Sequence, residues 1–114
     1  MGDLSPHFSS SEFADHVTGQ VVVDPNLITH LERLRLEVGK PCVIVSGYRS
    51  PTTNRAVGGA VNSQHLYGRA ADLRTGYATR DQAVAAGFTG IGVCGGWAVH
   101  VDVRPGPLEV FADC

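Results

Sequence analysis

Ser63-Gln64-His65-Leu66-Tyr67-Gly68-Arg69-Ala70-Ala71-Asp72 is the stretch that decides how this chain is read. It sets a histidine and an aspartate seven residues apart, with a glycine and two alanines between them. Small residues there let the loop fold back, so that His65 and Asp72 can meet at one point. Downstream, Trp97-Ala98-Val99-His100-Val101-Asp102 adds a second histidine. Two imidazoles and one carboxylate form a common zinc set at catalytic centres, because three protein ligands leave the fourth tetrahedral position open for water. His65, Asp72 and His100 are the candidate metal ligands, with one zinc ion as the candidate cofactor.

The segments around this motif read as its scaffold. Ala70 to Leu73 is a strand bearing Asp72, and Val57 to Asn62, with Gly58-Gly59, is a loop leading into the histidine. Ser50-Pro51 starts a short helix carrying Asn54 and Arg55. Cys42-Val43-Ile44-Val45 is a β-branched apolar run, expected as a central strand. The clearest helix opens at Asp24-Pro25. Leu27, Ile28, Leu31, Leu34 and Val38 keep one apolar face, and His30 falls on the polar face as a solvated residue. Gly39 and Pro41 end it.

Val21-Val22-Val23 reads as extended and buried. Ser9-Ser10-Ser11-Glu12 is a capping box that starts a helix through about Asp15. After the motif, Thr79 caps a helix from Arg80 to Ala86, closed by Gly87. Ile91 to Val93 and Trp97 to Val103 form antiparallel strands joined at Gly95-Gly96. No regular structure is expected from Pro105 onward. His7 and His16 carry no assigned role, and Trp97 reads as core or cleft wall.

The chain has 114 residues, 14 of them glycine, and a formal net charge of −2. That length suits a single domain over 1–114, with a motif-bearing core at 7–104 and a tail at 105–114. The charge balance argues against a nucleic-acid partner. No apolar run is long enough for membrane insertion, and the N-terminus lacks the basic-then-apolar pattern of a signal peptide. The three cysteines, Cys42, Cys94 and Cys114, show no CxxC spacing. They read as buried thiols plus a free terminal one, rather than as a disulfide framework or a thiolate site.

Ser46-Gly47-Tyr48-Arg49-Ser50, Ser63-Gln64-His65, Gly68, Ala70, Asp72 and Val99-His100-Val101-Asp102 together resemble the zinc D-alanyl-D-alanine carboxypeptidases and their endopeptidase relatives. That group includes phage endolysins and shares its fold with the hedgehog signalling domain. The resemblance runs from about His7 to Arg104. It implies a small α+β domain with a mainly antiparallel sheet, helices on one side and a zinc cleft, and it implies His65, Asp72 and His100 as the zinc ligands. It also implies Arg49 as the residue that binds and polarises a substrate carbonyl, and Ser63 and Gln64 as substrate-binding neighbours of the metal.

One departure stands out. Many members carry an acidic general base three positions before the last histidine, and Trp97 stands there. The nearest carboxylate is Asp102. Residues i and i+2 of a strand share a face, so Asp102 points to the cleft with His100, either as base or as the partner that orients His100.

The implied function is hydrolysis of peptidoglycan stem peptides by a zinc D,D-carboxypeptidase or endopeptidase, such as a phage lysis or virion enzyme. The alternative is a non-catalytic zinc-binding structural or interaction module, for example a virion component, which the missing acid favours. With no leader expected, the protein would stay cytoplasmic until released, or act from a virion or outside the cell at the wall. A monomer is expected, with Cys114 able to link two copies under oxidising conditions.

Overall fold

The computed structural model describes residues 2–114. Its longest helix, α1 (Pro25–Val38), starts where Asp24 accepts a hydrogen bond from the Asn26 N–H and ends at Gly39 in the left-handed region. Leu27, Ile28, Leu31 and Leu34 are buried along one side of it, as the apolar period dictates. Ahead of it, the capping box at Ser9 and Glu12 forms, but the turn it starts is a 3₁₀ helix confined to Ser10–Phe13. Phe13 and Phe8 pack together there, ring centroids 6.1 Å apart.

The strands are β1 (Ile44–Ser46), β2 (Ala70–Leu73), β3 (Ala78–Thr79), β4 (Gly90–Cys94), β5 (Trp97–Asp102) and β6 (Glu109–Ala112). They form one sheet in the order β1-β2-β5-β4-β6, with β3 paired to β5 beyond the end of β2. Every pairing is antiparallel except β4 with β6, which run parallel. Two short helices complete the α+β domain: α2 (Pro51–Ala56), capped by Ser50, and α3 (Arg80–Ala85), capped by Thr79.

One face of the sheet packs on α1 and α3. Ala71, Leu73, Ile91, Ala98 and Val101 meet Leu27, Leu31, Leu34, Ala83 and Phe88 in a single core. α2 adds no apolar side chain to it; its buried residues are Thr53 and Asn54, and it packs against the 3₁₀ turn Gln64–Tyr67.

A register shift sets the other face. Gly92 opposes His100 while Val93 opposes Ala98, so Val99 is an extra residue on β5. This bulge lets Ala98 and Val101, three apart, both enter the core. His100 and Asp102 are left on the opposite face, where His100 pairs across from Asp72.

Several expectations are corrected here. β1 lies at the edge of the sheet rather than its centre, with Val43 and Val45 exposed, because β-branched composition marks a strand but not its place in the order. Val21 and Val22 lie in an irregular, exposed segment, since their backbone runs past the Gly68 loop without joining the sheet. The tail beyond Pro105 is not irregular: β6 pairs with β4 from Gly90↔Glu109 to Val93↔Ala112.

That pairing brings Cys114 to Cys94, and the two form a disulfide with Cα atoms 4.9 Å apart. Cys114 is therefore not a free thiol able to link two copies; the free cysteine is Cys42, whose thiol burial pushes up to about 12. Trp97 is neither core nor cleft wall. It is 38% exposed on the β4–β5 hairpin, opposite Cys94 and Thr79.

Candidate metal centre

His65 sits in the 3₁₀ turn Gln64–Tyr67, whose first N–H groups are capped by Ser63 Oγ accepting from the His65 N–H. Gly68 closes that turn at φ 68°, and its carbonyl accepts from the Asp24 N–H. A Cβ at Gly68 would run into the Val22 carbonyl, so this position requires glycine both for its backbone angle and for the close approach. His65 itself is 2% exposed, and its Nδ1 lies 2.6 Å from the Gly47 carbonyl oxygen. A carbonyl only accepts, so Nδ1 carries the proton and Nε2 is left to face the cleft.

His100 is turned the other way round. Its Nε2 lies 2.7 Å from Asp102 Oδ2, and its Nδ1 faces the cleft. The two imidazole nitrogens, His65 Nε2 and His100 Nδ1, each lie 3.2 Å from Asp72 Oδ1. The ligand atoms of His65, Asp72 and His100 all fall within 4.8 Å of one another. Arg49 Nη2 donates to Asp72 Oδ2 at 3.0 Å, which turns Oδ1 towards the histidines.

The donor set fits a divalent cation. In the tautomer that Gly47 imposes, the His65 Nε2 lone pair faces a carboxylate oxygen, a repulsive arrangement that a cation between them converts into coordination. Burial pushes the Asp72 carboxyl up, but its hydrogen bond from His100 leads the interactions that outweigh that and hold it well below the usual carboxylate range. Burial works in the opposite sense on His100, yet Asp102 and Asp72 raise it to about 9.

Asp102 lies behind His100 and is fully buried. It accepts from His100 Nε2, from the Arg104 backbone N–H, and from Arg104 Nε and Nη2. Arg104 reaches on to Glu109 Oε2 at 2.9 Å. The expected sharing of a face by His100 and Asp102 holds. Asp102, however, contacts the back of the imidazole and does not line the cleft.

The cleft itself has a volume of about 450 Å³. Arg49, Ser63 and Gln64 line it alongside the three candidate ligand residues. Ser63 is occupied as the turn cap, and Gln64 Oε1 is buried without a hydrogen-bond partner among the described residues. His7 lies elsewhere, 2.7 Å from Glu32 Oε1, and His30 packs on Phe88 at 5.7 Å.

Sequence reasoning missed Arg104, which holds Asp102 and lines the cleft, and four further contributors. Asp15 accepts from the backbone N–H groups of Val17, Thr18 and Ser50 and from the Thr53 hydroxyl, tying the segment after Arg49 to the N-terminal region. Burial pushes its carboxyl up, but those bonds hold it well below the usual range. On β6, Glu109 and Phe111 line the cleft, as does Asp113 just beyond it, and the Phe111 ring lies 5.5 Å from that of His100. Their alternation, acid-x-aromatic-x-acid after Pro105-Gly106-Pro107, was the signal available for a strand.

Comparison with known proteins agrees with this geometry. The family described as Peptidase M15 matches residues 6–102. A zinc D-Ala-D-Ala carboxypeptidase of Streptomyces albus G is 51% identical over 47 residues, covering 40% of this chain. The match spans only 18% of that protein's length.

Proposed function

The chain belongs to the peptidase M15 family, and from that premise we propose that it is a zinc peptidase acting on the stem peptides of peptidoglycan, as a D,D-carboxypeptidase or an endopeptidase. The observation that carries the reading is the convergence of His65, Asp72 and His100 within 4.8 Å at a polar cleft, each held by a partner of its own. Zinc bound there supplies Lewis acidity, which activates a water and polarises a carbonyl.

The chain's own residues do the rest. Gly47 and Asp102 hold the two imidazole tautomers so that a lone pair of each faces the cleft. Arg49 orients Asp72, and the guanidinium N–H groups not used on Asp72 remain for the substrate's carbonyl or carboxylate oxygen. Asp102, enclosed and four times hydrogen-bonded, acts as the residue that positions His100 rather than as a base.

Such a substrate lies outside the cytoplasmic membrane. The reading therefore places the working protein at the cell wall, as a phage lysis or virion enzyme or a released bacterial one. The Cys94–Cys114 disulfide suits an oxidising compartment of that kind. One feature favours a second reading, a zinc-binding module without turnover: Trp97 stands where the family's acid is expected.

Zinc content per chain and amine release from purified peptidoglycan separate the two. The peptidase reading expects one zinc, lost in His65→Ala, and chelator-sensitive cleavage. A zinc-loaded protein that leaves peptidoglycan intact would establish the module instead.

A further inference from the structure

We infer that Asp113, just beyond β6, is the general base of this hydrolysis and replaces the acid absent at Trp97; the inference rests on the peptidase reading above. Four carboxylates surround the centre, and three are committed. Asp72 Oδ1 faces both imidazoles while its Oδ2 accepts from Arg49. Asp102 is buried behind His100 and saturated by Arg104. Glu109 is held by Arg104 Nη1 at 2.9 Å. Asp113 lines the same cleft and forms no ion pair among the described residues.

Its position is built rather than incidental. Gly92 is the cross-strand partner of His100, so a side chain at Gly92 would share the face of the ligands. That space is taken by Asp113: a Cβ on Gly92 would lie 2.7 Å from Asp113 Oδ2 and 2.9 Å from Phe111 Cε2. The missing side chain on β4 thus leaves room for a carboxylate from outside the strand over Gly92, the register partner of His100. Two tethers flank it, the Asp113 N–H donating to the Val93 carbonyl at 2.9 Å and the disulfide from Cys114 to Cys94. A short, exposed carboxylate on backbone fixed at both sides, lining the cleft and not paired with a cation, has what a general base requires.

The step balances without a further reactant. Asp113 takes a proton from the attacking water as the water oxygen bonds to the scissile carbonyl carbon. The carbon–nitrogen bond then breaks as that proton passes to the leaving amine nitrogen, and the carboxylate is regenerated.

The test compares the zinc-loaded parent with Asp113→Asn and Asp113→Glu, using purified peptidoglycan as substrate and chelator competition for zinc affinity. Asp113→Asn should lower kcat by about 10²- to 10⁴-fold, the usual range for a general base. It should keep its zinc affinity and flatten the acid limb of the pH–rate profile. Asp113→Glu should recover part of the rate. An active parent whose Asp113→Asn variant cleaves at a similar rate with an unchanged pH profile overturns the inference alone. Loss of zinc together with activity also overturns it, since Asp113 would then be supporting the ligands. A zinc-loaded parent with no cleavage overturns the peptidase reading, and this inference with it.

Discussion

Replacing Asp102 by asparagine would test the positioning role at its weakest point. The carboxylate accepts on both oxygens: Oδ2 from His100 Nε2 at 2.7 Å and Arg104 Nη2 at 2.6 Å, and Oδ1 from Arg104 Nε at 2.8 Å and the Arg104 N–H at 3.1 Å. Asparagine has one acceptor oxygen and one amide NH₂, so one side must present a donor to donors. If the NH₂ takes the Oδ2 place, it turns His100 Nε2 into an acceptor, moves the ring proton to Nδ1 and removes the lone pair that faces Asp72. If it takes the Oδ1 place, it opposes two Arg104 donors and disturbs the group that holds the carboxamide.

Loss of a partner that orients a metal ligand costs 10- to 100-fold in metal affinity, about 1.4–2.8 kcal/mol. Zinc affinity of the folded variant, measured by competition with a chelator at neutral pH, should fall within that range. Asp102→Asn binding zinc as tightly as the parent while losing turnover would refute the reasoning, because Asp102 would then act on the reacting atoms.

Other consequences are open to simpler measurements. Asp15→Asn should cost about 2–3 kcal/mol in a denaturant titration at neutral pH, from one lost charged hydrogen bond and a stranded donor. Because folding lowers the Asp15 pKa, its contribution is complete above the ordinary aspartate value near 3.9 and fades as pH falls below it. The parent's stability should therefore drop more steeply in acid than the variant's, and equal slopes would count against this account.

Gly68→Ala should lower stability by at least about 1–2 kcal/mol, the cost of a left-handed residue, before the collision with the Val22 carbonyl is relieved. An unchanged denaturation midpoint would contradict the described turn. Cys114→Ser should cost about 3 kcal/mol, the entropy of a loop closed over a separation of 20 residues. A melting curve that matches the oxidised parent would show that the bridge is not formed.

Much of the scaffold could be read in the sequence because local chemistry determines it. The Asp24 cap, the Pro25 start and the Gly39 stop bound α1 whatever surrounds it, and Thr79 does the same for α3. The candidate trio of His65, Asp72 and His100 could be named because residue types carry coordination chemistry, and the fold brings their ligating atoms within 4.8 Å of one another. What escaped was decided by position in three dimensions. β-branched residues at 42–45 do not reveal that β1 lies at an edge, and Val21-Val22 has strand composition without a strand to pair with. β6 is short and parallel, and its cleft-facing residues are acid and aromatic, so no run of apolar residues announced it. Once β6 was missed, so were the disulfide that depends on it and the carboxylates it brings to the cleft. Asp15 lies 35 residues from Ser50 in the chain, and only the folded molecule brings their partnership together.

The bulge at Val99 has a genetic meaning. Substitutions along β5 change one side chain at a time, but loss of the codon for Val99 would take out the extra residue and leave a regular strand with every other side chain on its present face. Ala98 and Val101 would then stand two apart and share the core face by ordinary alternation, whereas loss of the codon for Val101 would swing Asp102 into the core position it vacates. The Gly95-Gly96 turn already joins the paired Cys94 and Trp97 with two residues, so a deletion there would have to break that pair or shift the register. Codon-deletion libraries should therefore divide sharply within a few residues: a loss tolerated at the bulge and none at the paired positions on either side, with reading parity as heritable as any side chain.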